Sequence, residues 1–112
     1  MWLHEFITEE SRDQIRVCDP SHDFTFEMWG MAPVQALGEV AGRDFYFRAR
    51  HNEWSCEVSD SDGRLSSDGC SGPDTFYREG RHENASYMKL REALKIIDKC
   101  MSEYFSRSIT TN

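Results

Sequence analysis

The sequence predicts an α+β fold, an antiparallel four-stranded β-meander packed against a C-terminal amphipathic helix. Two patterns indicate this. Between residues 23 and 58, apolar and polar residues alternate in four short segments, which is the period of a strand with one buried face. Between residues 86 and 105, apolar residues recur at helical spacing. A chain of 112 residues has the size of one domain, so we predict a single domain over residues 1–112.

The four predicted strands are residues 23–29, 34–40, 45–50 and 54–58. The turns between them are short, so antiparallel pairing of neighbours is the simplest topology. Their alternation defines one apolar face, which must be covered. The predicted members of that face are Phe24, Phe26, Met28, Val34, Ala36, Val40, Phe45, Phe47, Trp54, Cys56 and Val58.

The predicted helix, residues 86–105, supplies that cover, and Ser86 is a suitable N-cap. Residues 60–85 are rich in Ser, Asp and Gly. We expect them to form a long loop, with a short edge strand near Phe76 inside it. Residues 106–112 are expected to be a frayed tail.

The N-terminus begins with an apolar cluster, Trp2, Leu3, Phe6 and Ile7. We expect this cluster to pack on the second face of the sheet, near Trp29, Leu37 and Tyr46. Residues 8–11 have the composition of a short helix start, and residues 15–17 that of a strand.

The chain has four cysteines, Cys18, Cys56, Cys70 and Cys100. The N-terminus lacks the pattern of a secretion signal and no apolar run approaches the roughly 20 residues of a membrane span. We therefore predict a cytoplasmic protein with reduced cysteines and no membrane partner. No Cys-x2-Cys or His-x3-His spacing occurs, so neither a zinc site nor another cofactor is predicted.

The formal net charge is −7, and residues 1–30 and 51–80 each contribute −5. Acidic surface of this kind can simply keep a protein soluble. It can also dock on the basic surface of a protein or protein–nucleic acid complex. Direct nucleic-acid binding is disfavoured, because such binding requires Lys and Arg to neutralise phosphates. The candidate docking residues are Glu9, Glu10, Asp13, Asp60, Asp62 and Asp68.

A second candidate surface lies opposite the predicted core, where Tyr46, Arg48 and Arg50 alternate with buried residues. Glu39 and Glu57 lie on neighbouring strands of the same face. The arginines could form cross-strand ion pairs with these acids, each worth a few tenths of a kcal/mol. Alternatively, the face is a mixed-charge binding surface with Tyr46 as its anchor, since Tyr and Arg are favoured at interfaces.

Evidence for catalysis in the sequence is thin. Cys70 and His82 are a conceivable nucleophile and base in the predicted loop, but no Gly-x-Ser-x-Gly motif and no matched acid, base and nucleophile accompany them. We therefore predict that the protein is not an enzyme. A small enzyme using Cys70 and His82 is kept as the least favoured alternative.

The segment GEVAGRDFYFRAR, residues 38–50, followed by Trp54-Ser55, resembles a hairpin found in small uncharacterised bacterial and phage proteins. The short, acidic α+β profile is similar to that of anti-CRISPR proteins. That similarity implies a non-enzymatic acidic binding protein that inhibits a nucleic-acid-handling complex, acting as a monomer or homodimer. The alternative is an immunity or antitoxin-like protein that neutralises a toxin enzyme.

Overall fold

The computed structural model describes residues 2–30, 33–59 and 76–110, with side chains up to residue 106. Two short 3₁₀ helices, Leu3–Phe6 and Ala85–Tyr87, accompany the main elements. The main elements are the strands β1 Ile7–Glu10, β2 Gln14–Asp19, β3 Phe24–Trp29, β4 Val34–Val40, β5 Arg43–Arg50, β6 Glu53–Val58 and β7 Phe76–Arg81, and the helix α1 Leu90–Thr110.

The strands of the described ranges form one antiparallel sheet in the order of the chain, from β1 to β7. The α+β class is consistent with the prediction, but the four-stranded meander is wrong, because the sheet has seven strands. The four predicted strands are its centre, β3 to β6. The additional strands carry few apolar residues: β2 contributes Ile15 and Val17 to the core, and β7 contributes Phe76. The strand composition noted at residues 15–17 and the short edge strand predicted near Phe76 therefore mark only parts of β2 and β7, which both run further.

The core lies between one face of the sheet, here called the inner face, and α1. All predicted members of that face are buried except Trp54, which is partly buried against the core. Phe26 and Phe45 lie on either side of Gly38 in register, with ring centroids 5.4 Å apart. A Cβ on Gly38 would come within 2.0 Å of the Thr25 carbonyl oxygen, so only glycine fits between these rings.

The helix α1 covers the inner face as predicted, but its bounds differ. It begins at Leu90, whereas Ser86 belongs to a 3₁₀ helix and its hydroxyl oxygen accepts the His51 backbone N–H at 2.6 Å. It continues to Thr110, into the segment expected to be a frayed tail, whose residues 111 and 112 lie outside the described part of the chain. The buried stripe of α1 is Leu90, Ala93, Leu94, Ile97, Cys100, Met101 and Tyr104.

The region predicted as one long loop, residues 60–85, also needs correction. Its second part contains β7, which pairs along its whole length with β6 from Val58↔Phe76 to Glu53↔Arg81. Arg78 of β7 lies 4.4 Å over the Phe76 ring and donates from Nε to Glu103 of α1 at 2.9 Å. Residues 60–75 lie outside the described part of the chain.

The N-terminal segment lies on the helix side of the sheet, not on the second face as predicted. Leu3 is fully buried in the core. The backbone N–H groups of Trp2 and Leu3 donate to Asp98 of α1 at 2.8 and 2.9 Å, and the Trp2 indole donates to Asp19 at 2.8 Å. Residues 7–10 form the edge strand β1 instead of a helix start. Two buried carboxylates thus fasten this segment to the sheet and the helix.

No helix in the described ranges combines the length and the apolar character needed to cross a membrane.

Candidate functional site

The second face of the sheet, here called the outer face, carries no helix or further sheet from the described part of the chain. Its side chains point away from α1 because successive residues of a strand alternate between faces. The prediction that Tyr46, Arg48 and Arg50 share this face is confirmed by the strand register. Its central and β7-side members are Glu27, Trp29, Gln35, Leu37, Glu39, Tyr46, Arg48, Arg50, Glu53, Ser55, Glu57, Tyr77, Glu79 and Arg81.

A row of large side chains crosses the middle of the outer face. Leu37 is opposite Tyr46, Tyr46 is opposite Glu57, and Glu57 is opposite Tyr77 in the strand register. Leu37 is 48% exposed, and Tyr46 and Tyr77 are partly buried. Trp29 lies two residues along β3 from this row and is also partly exposed. The outer face therefore presents a set of apolar and aromatic groups that the described elements do not cover.

Glu57 is the most unusual member of this row. It is only 4% exposed, and its Oε2 atom is buried without a hydrogen-bond partner among the described residues. Burial raises the pKa of this carboxyl group, because the charged form loses hydration. Burying a polar oxygen without a hydrogen bond costs free energy of folding.

Three arginines surround a shallow concavity of about 500 Å³ at the β5–β6 hairpin end of the outer face. They are Arg48, Arg50 and Arg81, and the same concavity is lined by Glu53 and Glu79. The arginine ion pairs formed within the described ranges belong to other residues, namely Arg16, Arg78 and Arg91. The cross-strand pairs considered for Arg48 and Arg50 with Glu39 and Glu57 are thus absent among the described residues.

The register explains why those pairs do not form. Arg48 faces Gln35 on β4 and Ser55 on β6, neither of which is charged. Its Nε atom is buried and has no acceptor among the described residues. Arg50 and Arg81 flank Glu53 in one row, yet neither comes within ion-pair distance of it. The described residues therefore leave donors of these guanidinium groups without an acceptor.

The acidic residues predicted near the N-terminus already have partners. Glu10 accepts two hydrogen bonds from Arg91 of α1 at 2.7 and 2.6 Å, and this guanidinium lowers the pKa of the Glu10 carboxyl. Glu9 pairs with Arg16 at 3.3 Å, and Asp13 accepts from the Ser11 hydroxyl at 3.3 Å. The second predicted acidic set, Asp60, Asp62 and Asp68, lies outside the described residues.

The groups considered for catalysis or metal binding are not assembled into a site. His82 lies 3.0 Å from Glu92 and 3.0 Å from the Glu83 carbonyl oxygen, while Cys70 is outside the described residues. Cys56 and Cys100 are buried in the core, and Cys18 is exposed. Within the described ranges no group of three or more His, Cys, Asp or Glu side chains could hold a metal ion.

Sequence reasoning placed Trp29, Leu37, Tyr46, Arg48, Arg50 and Glu57 on this face but missed Tyr77 and Arg81. Tyr77 and Arg81 required knowledge that β7 extends the sheet beside β6.

Comparison with known proteins adds no assignment: no protein-family model, curated protein or solved structure matches this chain.

Proposed function

We propose that this chain is a non-enzymatic binding protein that docks on another protein through the outer face of its sheet. The observation that carries this proposal is the group of partly or largely exposed Leu37, Tyr46 and Tyr77, with Trp29 beside it, on a face that the described elements do not cover. Tyr, Trp and Arg are the residues most often responsible for binding energy at protein interfaces. All three types occur together here.

An uncovered face is ordinary for an antiparallel sheet, but such a face is normally polar. This one instead presents a half-exposed leucine and three partly exposed aromatic residues among its charges. Seven strands at about 4.8 Å spacing give a face about 29 Å wide. That is the scale on which each partner buries roughly 800 Å² in a standard complex.

Within this proposal the partner is a nucleic-acid-handling protein complex, and docking inhibits it. The support is electrostatic: the chain has a net charge of −7, which complements a surface built to bind phosphates. An immunity protein that neutralises a toxin enzyme would use the same face, so the identity of the captured partner separates the two roles.

The proposal is tested by differential capture from a bacterial lysate. The bait is compared with a Leu37→Ser/Tyr46→Ser variant and with a control variant, Lys95→Ser/Lys99→Ser, on the exposed side of α1. We expect a protein that is retained by the wild type and by the helix control but lost with the outer-face variant. Mass spectrometry identifies it.

Equal recovery of every retained protein by all three baits would contradict docking through the outer face. If a retained protein is lost only with the Lys95→Ser/Lys99→Ser variant, the interface lies on α1. Circular dichroism of the three baits verifies that each is folded, since all four positions are partly or largely exposed.

A further inference from the structure

We infer that the concavity bounded by Arg48, Arg50 and Arg81 is a carboxylate-binding subsite, which receives an acidic side chain of the docked protein. The inference rests on the proposed function, because the subsite lies at one end of the outer face. It deepens that function by naming one chemical group that the partner must bring.

The donors of the subsite come from two strands on either side of β6. Arg48 and Arg50 are on β5, and Arg81 is at the end of β7, with β6 between them. Together they line about 500 Å³ of space with Ser55 and Tyr77. The planar guanidinium group matches the two oxygens of a carboxylate and can donate two parallel hydrogen bonds.

The two acids of the concavity do not use up these donors. Glu79 instead accepts from the Tyr77 hydroxyl at 2.9 Å. Glu53 lies in register between Arg50 and Arg81 but forms an ion pair with neither. The Arg48 Nε is buried without an acceptor in the described part of the chain. A ligand carboxylate would supply the acceptor that the fold leaves out.

Charge decides which anion fits. With His51 of the same lining counted as neutral, three guanidinium groups against two carboxylates leave a formal charge of +1 at the concavity, although the whole chain carries −7. A single carboxylate neutralises that local charge. A phosphate group with a charge near −2 would instead leave a net negative charge beside Glu53 and Glu79. The local charge therefore favours a carboxylate over a phosphate.

The occupant is an acidic residue of a protein rather than a free small acid, because the concavity is open and shallow and continues into the row of Tyr46 and Tyr77. A free carboxylate gains little binding free energy on such a surface. Neighbouring apolar contacts would hold an acidic segment in place. The partner's interface is therefore mixed in charge, with at least one Asp or Glu at this end.

The subsite is tested on the full chain by NMR. The probe is the capped peptide acetyl-Tyr-Glu-Ser-Tyr-amide, titrated while the arginine Nε–Hε resonances are followed. The same peptide with Gln in place of Glu is the matched control, and inorganic phosphate is the third ligand. Arg50→Gln/Arg81→Gln removes two of the donors. Arg12→Gln removes one positive charge at an exposed residue outside the concavity and controls for a charge change elsewhere on the surface.

We expect the Glu peptide to shift the resonances of Arg48, Arg50 and Arg81. The Gln peptide should bind about tenfold more weakly, the equivalent of about 1.4 kcal/mol. The Arg50→Gln/Arg81→Gln variant should lose this preference and Arg12→Gln should keep it. Equal binding of both peptides, or no binding at all, would overturn the subsite. Tighter binding of phosphate would overturn the choice of a carboxylate.

The same arginine variant in the capture experiment separates this inference from the proposed function. If Leu37→Ser/Tyr46→Ser abolishes capture while Arg50→Gln/Arg81→Gln leaves it unchanged, the docking face stands and the subsite is wrong. If the peptides bind as expected but no captured protein depends on Leu37 and Tyr46, the subsite stands and docking through the whole face is wrong.

Discussion

The two faces of the sheet are built from alternate residues of the same strands but meet opposite requirements. The inner face is apolar, buried under α1 and packed with rings such as Phe24, Phe26 and Phe45, whose centroids lie 5.0–5.4 Å apart. The outer face mixes arginine and glutamate with Leu37 and Tyr46, and the described elements leave it open. The first arrangement buries the core, and the second is the face through which docking is proposed.

Two buried carboxylates show the same contrast on a smaller scale. Asp19, on the inner face, accepts hydrogen bonds from the Trp2 indole at 2.8 Å and the Ser21 hydroxyl at 2.6 Å, and His22 Nδ1 lies 2.7 Å away. Glu57, on the outer face, is nearly as buried, but its Oε2 atom has no hydrogen-bond partner among the described residues. The buried acid of the inner face thus fastens elements of the fold together, whereas one oxygen of the outer-face acid has no such role within the described ranges.

The largest expected difference between the faces is in packing. Leu94 is fully buried under the inner face, so Leu94→Ala should lower the free energy of unfolding by about 2–5 kcal/mol, because it leaves a cavity. Leu37→Ala removes the same atoms from a half-exposed position and should change the free energy of unfolding by no more than about 0.5 kcal/mol. Urea denaturation measures both. Similar losses at the two positions would mean that the outer face is part of the core.

The same contrast explains what the sequence could predict. Strands β3 to β6 and the buried stripe of α1 were predictable because their apolar residues repeat with a clear period over six or more residues. Strand β1 has one partly buried residue, and β7 buries only Phe76. These two strands are held by pairing with their neighbours, which is tertiary information that no local pattern contains.

The candidate site was less predictable than the core for a related reason. Tyr46, Arg48 and Arg50 follow one another on a single strand, so their common face could be inferred from alternation alone. Their neighbours Glu53 and Arg81 come from other strands, and the partners of Arg48 depend on register. A one-residue change in register would have brought different groups together. The absence of ion pairs in the concavity could not be deduced before the register was known.

A smaller change in the free energy of unfolding is expected when Asp19, the buried carboxylate of the inner face, is substituted. Burial alone would raise the pKa of Asp19, but hydrogen bonds from Ser21, Trp2 and His22 outweigh it and lower the pKa to about 2. Asp19→Asn should therefore cost about 1–3 kcal/mol at pH 7, because one of these donors then meets an amide N–H. Thermal or urea unfolding measures this cost, with Asp23→Asn at an exposed neighbouring position as the control.

The pH dependence of that cost has a definite direction. The pKa is lower in the folded state than the ordinary value of about 3.9, so the stabilisation is fully present above pH 4 and is lost as the pH falls through about 2. The difference between wild type and Asp19→Asn should thus shrink between pH 4 and pH 2. A difference that stays constant over this range would show that the charge of Asp19 does not matter.

The smallest expected effect has the opposite sign and tests the outer face. Burial raises the pKa of Glu57 in the folded state. As the pH rises, the Glu57 carboxyl therefore ionises first in the unfolded chain, and the folded state loses stability between the unfolded-state and the folded-state pKa. Glu57→Gln removes this loss and should stabilise the isolated protein by about 0.5–2 kcal/mol at pH 7. The gain should diminish as the pH falls towards 4, where the carboxyl is protonated in both states.

Glu53→Gln, an exposed position on the same strand and face, should change stability by less than about 0.5 kcal/mol. If Glu57→Gln instead destabilises the protein at pH 7, the fold itself supplies a partner for this carboxylate, and the contrast with Asp19 fails.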